Sequence, residues 1–294
     1  MNFHAGTGFG DADSAGIPAA VLRNTRIARF NDPDQLERIF RRSGDKLACF
    51  IVEPFLGVGG FIAATPEYLR TARRLTEKHG VLLIFDEIIS GFRFGPTALQ
   101  TLYGVEPDIT TFGKLIGGGH AVSAVEGKAA VLEGKGAKSK IKAKFEGGTF
   151  SSHPQYMRMG YVMLTYLVER AETIYPRLAA AGDALRTRIE DAFRAEGIDA
   201  RCTGWGNAAV PGSSLFMVNF PKTGRLYASS EDIWDPALSE VRLKEDILKL
   251  ALLVEGVNVV HGGGAISIAH DAAVLDRTVA AYAAAARLFR KYLL

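Results

Sequence analysis

The stretch Val81-Leu82-Leu83-Ile84-Phe85-Asp86-Glu87 decides the fold of this chain. Its first five residues form a continuous apolar run. Such a run is typical of a strand that is buried on both faces of a parallel sheet. The run stops at two carboxylates, Asp86 and Glu87. We therefore predict a central strand whose C-terminal end carries charged side chains.

Similar apolar runs lie on both sides of that strand along the sequence. Leu47–Val52 ends in Glu53-Pro54, and Asp108–Phe112 leads into a glycine-rich turn. Between the first two predicted strands, Thr65 is a suitable N-cap and Pro66 stands at the first position of a predicted helix. Strand, helix and strand with short links indicate a βαβ crossover and a mostly parallel sheet.

The remaining predicted elements follow from apolar runs and helical periodicity. Further strands are predicted at Thr25–Arg29, Ala121–Glu126, Ser214–Phe220, Val257–Val260 and Ala265–Ala269. Helices are predicted at Asp34–Arg42, Pro154–Glu172, Tyr175–Glu196, Leu238–Leu253 and Ala272–Tyr292. After the first long helix, the predicted strands and helices alternate along the sequence, which suggests a smaller α+β domain. We therefore expect a large domain over residues 1–172 and a small C-terminal domain over residues 173–294.

The overall composition limits the classes to which the protein can belong. Of its 294 residues, 48% are apolar and 23% are charged, which is ordinary for a soluble protein. A net charge of +3 gives no bulk attraction for nucleic acid. No apolar run approaches the ~20 residues of a membrane span, and the sequence does not begin with a signal-peptide pattern. We expect a cytoplasmic protein with neither a membrane nor a nucleic-acid partner.

Other candidate motifs are weaker. The glycines at positions 6, 8 and 10 lack the spacing of a dinucleotide-binding turn. Two distant cysteines give no disulfide framework, and six histidines show no paired ligand spacing, so no metal site is predicted. The basic run from Lys135 to Lys144 is more typical of a solvated loop than of an anion site.

Lys114 is the candidate catalytic residue. It follows the predicted strand Asp108–Phe112 in a glycine-rich turn. A partly desolvated amine in such a turn is nucleophilic near neutral pH. Asp86, at the end of another predicted strand, offers a carboxylate that can hold a protonated ring nitrogen. These are the two groups that pyridoxal phosphate needs, although an exposed loop lysine and a turn-forming aspartate remain the alternatives.

Four motifs also carry a resemblance to a known family. They are, in order, Leu83–Ile88, Gly91-Phe92-Arg93, Pro107–Lys114 and Gly147-Gly148-Thr149. Together they resemble class III aminotransferases, which are fold-type I pyridoxal-phosphate enzymes, and most of all the glutamate-1-semialdehyde 2,1-aminomutase branch. The resemblance covers essentially the whole chain. It implies an α/β fold, with a fold-type I large domain built on a mostly parallel sheet and a smaller C-terminal α+β domain.

The resemblance also implies roles for individual residues. Lys114 would form a Schiff base with pyridoxal 5'-phosphate, and Asp86 would pair with the ring nitrogen. Ile88 matches the aliphatic residue that packs on one face of the ring. Thr149 matches a threonine that reaches the cofactor phosphate of the neighbouring subunit, which implies a homodimer. The implied substrates are a small-molecule amino donor and a carbonyl acceptor.

The chain departs from the family pattern before its first matched residues. Family members carry first strands, a phosphate-binding turn and a stacking aromatic residue for which we find no equivalent. We therefore expect the large domain to be incomplete, with an exposed apolar patch or an unpaired strand edge. The alternative to an active aminotransferase or aminomutase is a non-catalytic remnant or gene fragment that serves as a binding or assembly subunit. Another pyridoxal-phosphate reaction, such as epimerisation, is a third hypothesis.

Two further positions bear on the choice of reaction. The stretch His261–Ala265 lacks the glutamate that aminomutases carry before the last strand of the small domain, which favours a related transaminase. Arg93 is suited to clamping a substrate carboxylate through two hydrogen bonds, and a surface ion pair is the equal alternative.

Overall fold

The computed structural model of the protein describes residues 17–133 and 148–292. The predictions for the glycines at positions 6, 8 and 10 and for the basic run from Lys135 to Lys144 lie outside these residues.

The helices are α1 (Ala19–Arg23), α2 (Pro33–Ser43), α3 (Pro66–His79), α4 (Leu99–Tyr103), α5 (Ala129–Leu132), α6 (Pro154–Glu169), α7 (Ala171–Ala195), α8 (Ser230–Trp234), α9 (Lys249–Val254) and α10 (Ala272–Tyr292). The strands are β1 (Cys49–Val52), β2 (Leu82–Glu87), β3 (Ile109–Phe112), β4 (Ala124–Gly127), β5 (Arg201–Thr203), β6 (Leu215–Asn219) and β7 (Gly263–Ala265).

The larger sheet has the strand order β1-β2-β3-β4. β1 pairs with β2 and β2 pairs with β3 in parallel, whereas β3 and β4 are antiparallel. The predicted α/β architecture with a mostly parallel sheet is therefore confirmed, with β4 as an antiparallel addition. Because parallel strands end at the same edge of a sheet, the C-terminal ends of β1, β2 and β3 lie side by side.

Helix α3 forms the crossover between β1 and β2, as the sequence predicts. The Thr65 hydroxyl accepts a hydrogen bond from Tyr68 N at 3.2 Å, and Pro66 occupies the first helical position. The helix buries Leu69, Ala72 and Leu75. Burial of this apolar face stabilises the sheet, because each large aliphatic side chain removed from water contributes about 1.5–3 kcal/mol.

Asp108, directly before β3, fixes the sheet to its surroundings. Its carboxylate accepts hydrogen bonds from Leu83 N at 2.8 Å, Arg73 Nη1 at 3.0 Å and Lys128 Nζ at 2.9 Å. Burial acts to raise the pKa of Asp108, but these donors outweigh it, so the pKa lies below its usual range. One carboxylate therefore connects β2, helix α3 and the residue before α5.

The second sheet is antiparallel, with the order β5-β6-β7. All five residues of β6 are buried. The core beside this sheet contains residues of α7, β6, α9 and α10, among them Ile189, Val218, Leu252 and Ala285. The C-terminal half is therefore an α+β unit, as predicted.

A lysine is buried beside this small sheet. Lys244 lies in a π-helical turn, Leu243–Leu248, that continues into α9. Its Nζ atom donates to Asn219 Oδ1 at 3.2 Å and lies 3.5 Å from the centre of the Trp234 ring. Burial lowers the pKa of Lys244 to about 8, despite the opposing charge of Glu245.

Three predicted strands differ from the structure. Thr25–Arg29 forms no strand, because it has no pairing partner among the described residues. Val257–Val260 contributes a single bridge, between Val260 and Gly263. The reason is the turn at His261 and Gly262, where φ values of 55° and 74° reverse the chain. The last strand consequently starts at Gly263 and ends at Ala265, earlier than predicted.

The cores do not follow the predicted domain division closely. The core under the larger sheet includes Val210, Leu215, Met217 and Ile233, which come from the second predicted domain. The division into residues 1–172 and 173–294 therefore stays a prediction. None of the helices in the described ranges combines the length and apolar character that a membrane crossing requires.

Candidate active site

The shared edge of the three parallel strands brings the predicted catalytic groups together. Asp86 in β2 lies opposite Thr111 in β3. The pairing of Val52 with Phe85 places Glu53, the residue after β1, beside Asp86. Lys114 follows β3 by two residues, and the charges of both Asp86 and Lys114 influence Glu53. The edge thus carries one amine and two carboxyl groups.

Lys114 occupies a strained backbone position. It opens the 3₁₀ turn Lys114–Gly117 with a φ angle of 45°, in the left-handed region that side chains other than glycine disfavour. Helix α6 packs against this turn. The Lys114 side chain is exposed. The described residues therefore do not provide the partial desolvation that we expected for this amine.

Asp86 is held by its neighbours in a defined position. Its Oδ1 atom accepts hydrogen bonds from Ile88 N at 3.1 Å and from Thr111 Oγ1 at 3.4 Å. The side chain is half-buried. The bond from Ile88 N is compatible with the turn-forming alternative, and the role of Asp86 as a ring partner stays a prediction. Because both bonds involve Oδ1, its second oxygen is suited to accept a further donor.

Ile88 lies against the turn that carries the lysine. A Cβ atom added at Gly113 would stand 3.2 Å from Ile88 Cγ2, so a side chain at position 113 would press on the isoleucine. Ile88 is half-buried. The structure therefore places an aliphatic side chain next to the residue that precedes Lys114.

Glu87 performs a different task from its neighbour Asp86. Successive side chains of a strand point to opposite faces, and Glu87 is fully buried. Its carboxyl group accepts hydrogen bonds from Leu99 N at 2.9 Å and from Gln100 N at 3.3 Å, at the start of α4. Burial raises the pKa of Glu87 to about 7, although the two N–H groups oppose this. Glu87 therefore anchors the chain after β2.

Glu53 is the site residue to which sequence reasoning gave no role. Its Oε2 atom accepts a hydrogen bond from Gly57 N at 2.8 Å. Burial, followed by the charge of Asp86, raises the pKa of Glu53 to about 7, while Gly57 N–H and Lys114 oppose the rise. The available sequence signal was its position directly after the strand that neighbours β2.

Thr149 and Arg93 are the remaining predicted site residues. Thr149 is exposed in a turn before α6. Arg93 donates from Nε to the Ile89 carbonyl at 2.6 Å, and burial lowers its pKa. Among the described residues, no carboxylate forms an ion pair with Arg93. The surface ion pair is therefore not seen, and the substrate clamp stays a prediction.

Sequence comparison finds relatives for most of this chain. The profile of the family described as "Aminotransferase class-III" matches residues 5–205. The chain is 36% identical over 282 residues to a glutamate-1-semialdehyde 2,1-aminomutase of Dichelobacter nodosus. That alignment covers 94% of this chain and 62% of the relative. The chain thus spans less than two thirds of that relative's length.

Solved structures with the same fold are transaminases. An omega-transaminase from Sphaerobacter thermophilus superposes with a TM-score of 0.81 at 30% identity, covering 94% of this chain and 60% of that one. A transaminase with PLP bound gives a TM-score of 0.77 at 26% identity, covering 96% of this chain and 63% of that one. These likenesses confirm the fold-type I architecture. The family match, which includes β1 to β5 and Lys114, shows that the chain belongs to the class-III aminotransferases.

Proposed function

We propose that the protein is a pyridoxal-phosphate-dependent aminotransferase or aminomutase that binds its cofactor covalently through Lys114. The observation that carries this proposal is that Asp86, near the end of β2, and Lys114, two residues after β3, lie at the same edge of the parallel sheet. A primary amine and a carboxylate with a free oxygen are the two groups that this cofactor requires of its protein.

The chemistry of the donor set fits this cofactor. The exposed amine of Lys114 is accessible to an aldehyde. Asp86 has an oxygen suited to a protonated ring nitrogen, because its hydrogen bonds among the described residues use Oδ1. Ile88, beside Gly113, offers an apolar contact for a ring. The transaminase that superposes with PLP bound supports the same assignment.

Each of these residues has a distinct task in the proposed reaction. When bound, pyridoxal phosphate supplies an electron sink for charge that develops on the substrate carbon. Lys114 would move a proton at its Nζ atom as a general base and then as a general acid. The negative charge of Asp86 would hold a proton on a ring nitrogen. Ile88 would offer its apolar side chain to the ring.

The choice between transamination and aminomutation rests on the small domain. The turn before β7 consists of His261 and Gly262, without the glutamate of the aminomutases. The solved transaminases that share the fold favour amino transfer, whereas the aminomutase relative favours an intramolecular exchange. We favour amino transfer between a small amino donor and a carbonyl acceptor, in the cytoplasm.

A homodimer in which Thr149 reaches the partner's cofactor phosphate is part of this proposal. The support is the apolar surface that follows Thr149 along the chain. Phe150 is 68% exposed, and on α6 Tyr161 is 62% and Val168 is 58% exposed. Large apolar side chains in one region favour a protein interface. Sedimentation equilibrium should give twice the mass of one chain, and Tyr161→Asp should reduce that mass to one chain.

The covalent proposal is tested by reductive labelling. Pyridoxal phosphate is added, borohydride reduces the product, and peptide mass spectrometry locates the label. We expect labelling of Lys114 that is lost in Lys114→Ala and kept in Lys78→Ala, which removes an exposed lysine of α3. Labelling that is spread over surface lysines and undiminished in Lys114→Ala would contradict the proposal. Label at Lys114 without any amino transfer would favour the alternative of a non-catalytic binding subunit.

A further inference from the structure

A surface groove lies between the end of α9 and one side of α10. Its volume is about 590 Å³, which is within the range of ~300–1,000 Å³ that is usual for binding clefts. The side formed by α10 is a stripe of residues that recur every three or four positions, namely Val274, Arg277, Ala281, Ala284 and Arg287. Residues 255–258, which follow α9, form the other side. The two alanines keep the groove open, so the backbone of a binding partner can approach α10 closely.

Two arginines of this groove have no counterion. Arg277 and Arg287 are exposed, and neither forms an ion pair within the described parts of the chain. Arg290 of the same helix, in contrast, pairs with Glu196 at 3.2 Å. The two unpaired arginines are about 15 Å apart along the axis of α10. Because Glu255 supplies the carboxylate among the lining residues, the groove carries an excess of positive charge.

Helix α9 adds an exposed apolar surface beside the groove. Its inner face contributes Leu252 to the core that it shares with α10. Its outer face carries Leu250, Leu253 and Val254, which are 63%, 55% and 82% exposed. A helix that is apolar on both its inner and its outer face is typical of a buried element. The outer face of α9 therefore has the character of a surface that another molecule covers.

The charges and the shape of the groove select the kind of molecule that fits. A second copy of this chain would bring the same two arginines face to face, because identical patches meet in a two-fold interface, and like charges there are unfavourable. A bilayer is flat, whereas the groove is concave. The groove runs between two helices and offers no strand edge to an extended peptide, so a helix that lies in the groove is the suitable geometry.

We propose that the groove between α9 and α10 binds an amphipathic helix of another protein that carries carboxylates beside an apolar stripe. The apolar stripe packs against Leu250, Leu253 and Val254. Carboxylates about three helical turns apart pair with Arg277 and Arg287, whose planar guanidinium groups match a carboxylate with two hydrogen bonds. This interaction lies beyond the proposed function and does not depend on the cofactor.

The test uses a synthetic peptide as the probe. It has about 18 residues, a length that supports a helix in water, with leucines along one stripe and glutamates on both sides of it. Fluorescence anisotropy of a fluorescein label follows its binding to the whole chain without added cofactor. We expect saturable binding that weakens as sodium chloride is raised from ~0.05 to ~0.5 M, because salt screens exposed charges. A peptide with glutamine at each glutamate position should bind about three- to tenfold more weakly.

Variants of the chain locate the binding surface. Arg277→Gln combined with Arg287→Gln should weaken binding of the acidic peptide about three- to tenfold, and Leu253→Ser should weaken it about tenfold. Arg70→Gln is the matched control, because Arg70 is also exposed on a helix, α3, and has no ion pair in the described ranges. It should bind the peptide as the unmodified protein does. Arg277→Lys combined with Arg287→Lys should restore part of the affinity, since the charges remain.

Several results would overturn the proposal. They are the absence of saturable binding, equal binding of the glutamine peptide, unchanged binding in the double arginine variant, and an equal loss in Arg70→Gln. A lower mass of the unliganded chain in sedimentation equilibrium on Leu253→Ser would show that a second copy occupies the surface instead. Displacement of the peptide by phosphatidylglycerol vesicles that sediment with the chain would show a lipid surface. If Leu253→Ser fails to fold, the salt dependence and the double arginine variant decide the question.

Discussion

Asp86 and Thr111 lie directly opposite each other in the parallel register of β2 and β3, and the Thr111 hydroxyl donates to Asp86 Oδ1 at 3.4 Å. This contact and the hydrogen bond from Ile88 N at 3.1 Å both fix Oδ1. Because the carboxylate group is planar, they also limit where Oδ2 can lie. The position of Asp86 is therefore determined by the sheet itself. A substitution that preserves its shape should affect the chemistry far more than the fold.

The first prediction concerns the charge of Asp86. In the proposed enzyme, Asp86→Asn should lower kcat for amino transfer by ~10² or more, because it removes a charge that acts mainly in the transition state. The asparagine oxygen still accepts from Ile88 N, so Tm should change little. Asp34→Asn, an exposed position in α2, is the control and should leave both quantities unchanged. Near-normal turnover in Asp86→Asn would refute the ring-partner role.

The second prediction concerns the backbone at Lys114. Its φ angle of 45° favours glycine over any residue with a Cβ atom. Lys114→Gly should therefore be more stable than Lys114→Ala by about 1 kcal/mol in urea unfolding. Arg70→Gly and Arg70→Ala, at an exposed position inside α3, should show the reverse order, because glycine destabilises a helix interior by roughly 1 kcal/mol. Equal stabilities at position 114 would argue against the left-handed conformation.

The third prediction follows from the burial of Glu87. Its pKa is about 7 in the folded chain and near 4.5 when exposed, so its contribution is fully present below pH 4.5 and is lost as the pH rises through 7. A rise of this size corresponds to ~3 kcal/mol at most. The stability of the unmodified protein relative to Glu87→Gln should therefore be greater at pH 5 than at pH 8.

Urea unfolding at the two pH values measures this difference. Glu255→Gln, at an exposed position after α9, is the control and should show no such pH dependence. A difference between the unmodified protein and Glu87→Gln that stays constant from pH 5 to pH 8 would show that Glu87 is ionised throughout.

The fourth prediction concerns Lys244. Burial lowers its pKa from 10.5 to about 8, so the folded chain binds fewer protons than the unfolded chain between these values. The free energy of unfolding therefore increases as the pH rises from 8 to 10.5. This gain is present above pH 10.5 and is lost as the pH falls through 8. The unmodified protein should gain stability relative to Lys244→Met over this interval. Lys249→Met, at an exposed position, should give a constant difference.

The sequence predicted the centre of the larger sheet because the signals there are local. A continuous apolar run marks β2, and the N-cap at Thr65 with Pro66 marks α3. The same holds for Lys114 and Asp86, whose positions after predicted strands place them at one edge once the strands are parallel. Nothing local distinguishes the direction of β4, because its antiparallel pairing with β3 depends on the path of the chain between them.

The features that were missed depend on distant parts of the chain. The surroundings of Glu53 arise from the register between β1 and β2, which no single stretch of sequence specifies. Thr25–Arg29 has strand-like residues but no partner among the described strands. The turn at His261 and Gly262 shortens the last strand through two positive φ angles, and a histidine at such a position is not a strong turn signal.

The left-handed conformation of Lys114 has a consequence for protein engineering. If Lys114 binds the cofactor as proposed, its amine is kept at a position where glycine would give the more stable backbone. A library that is screened only for heat resistance should therefore tend to lose Lys114, and with it any covalent chemistry, while its members fold better. Selection of this protein for robustness needs a simultaneous assay of the amine.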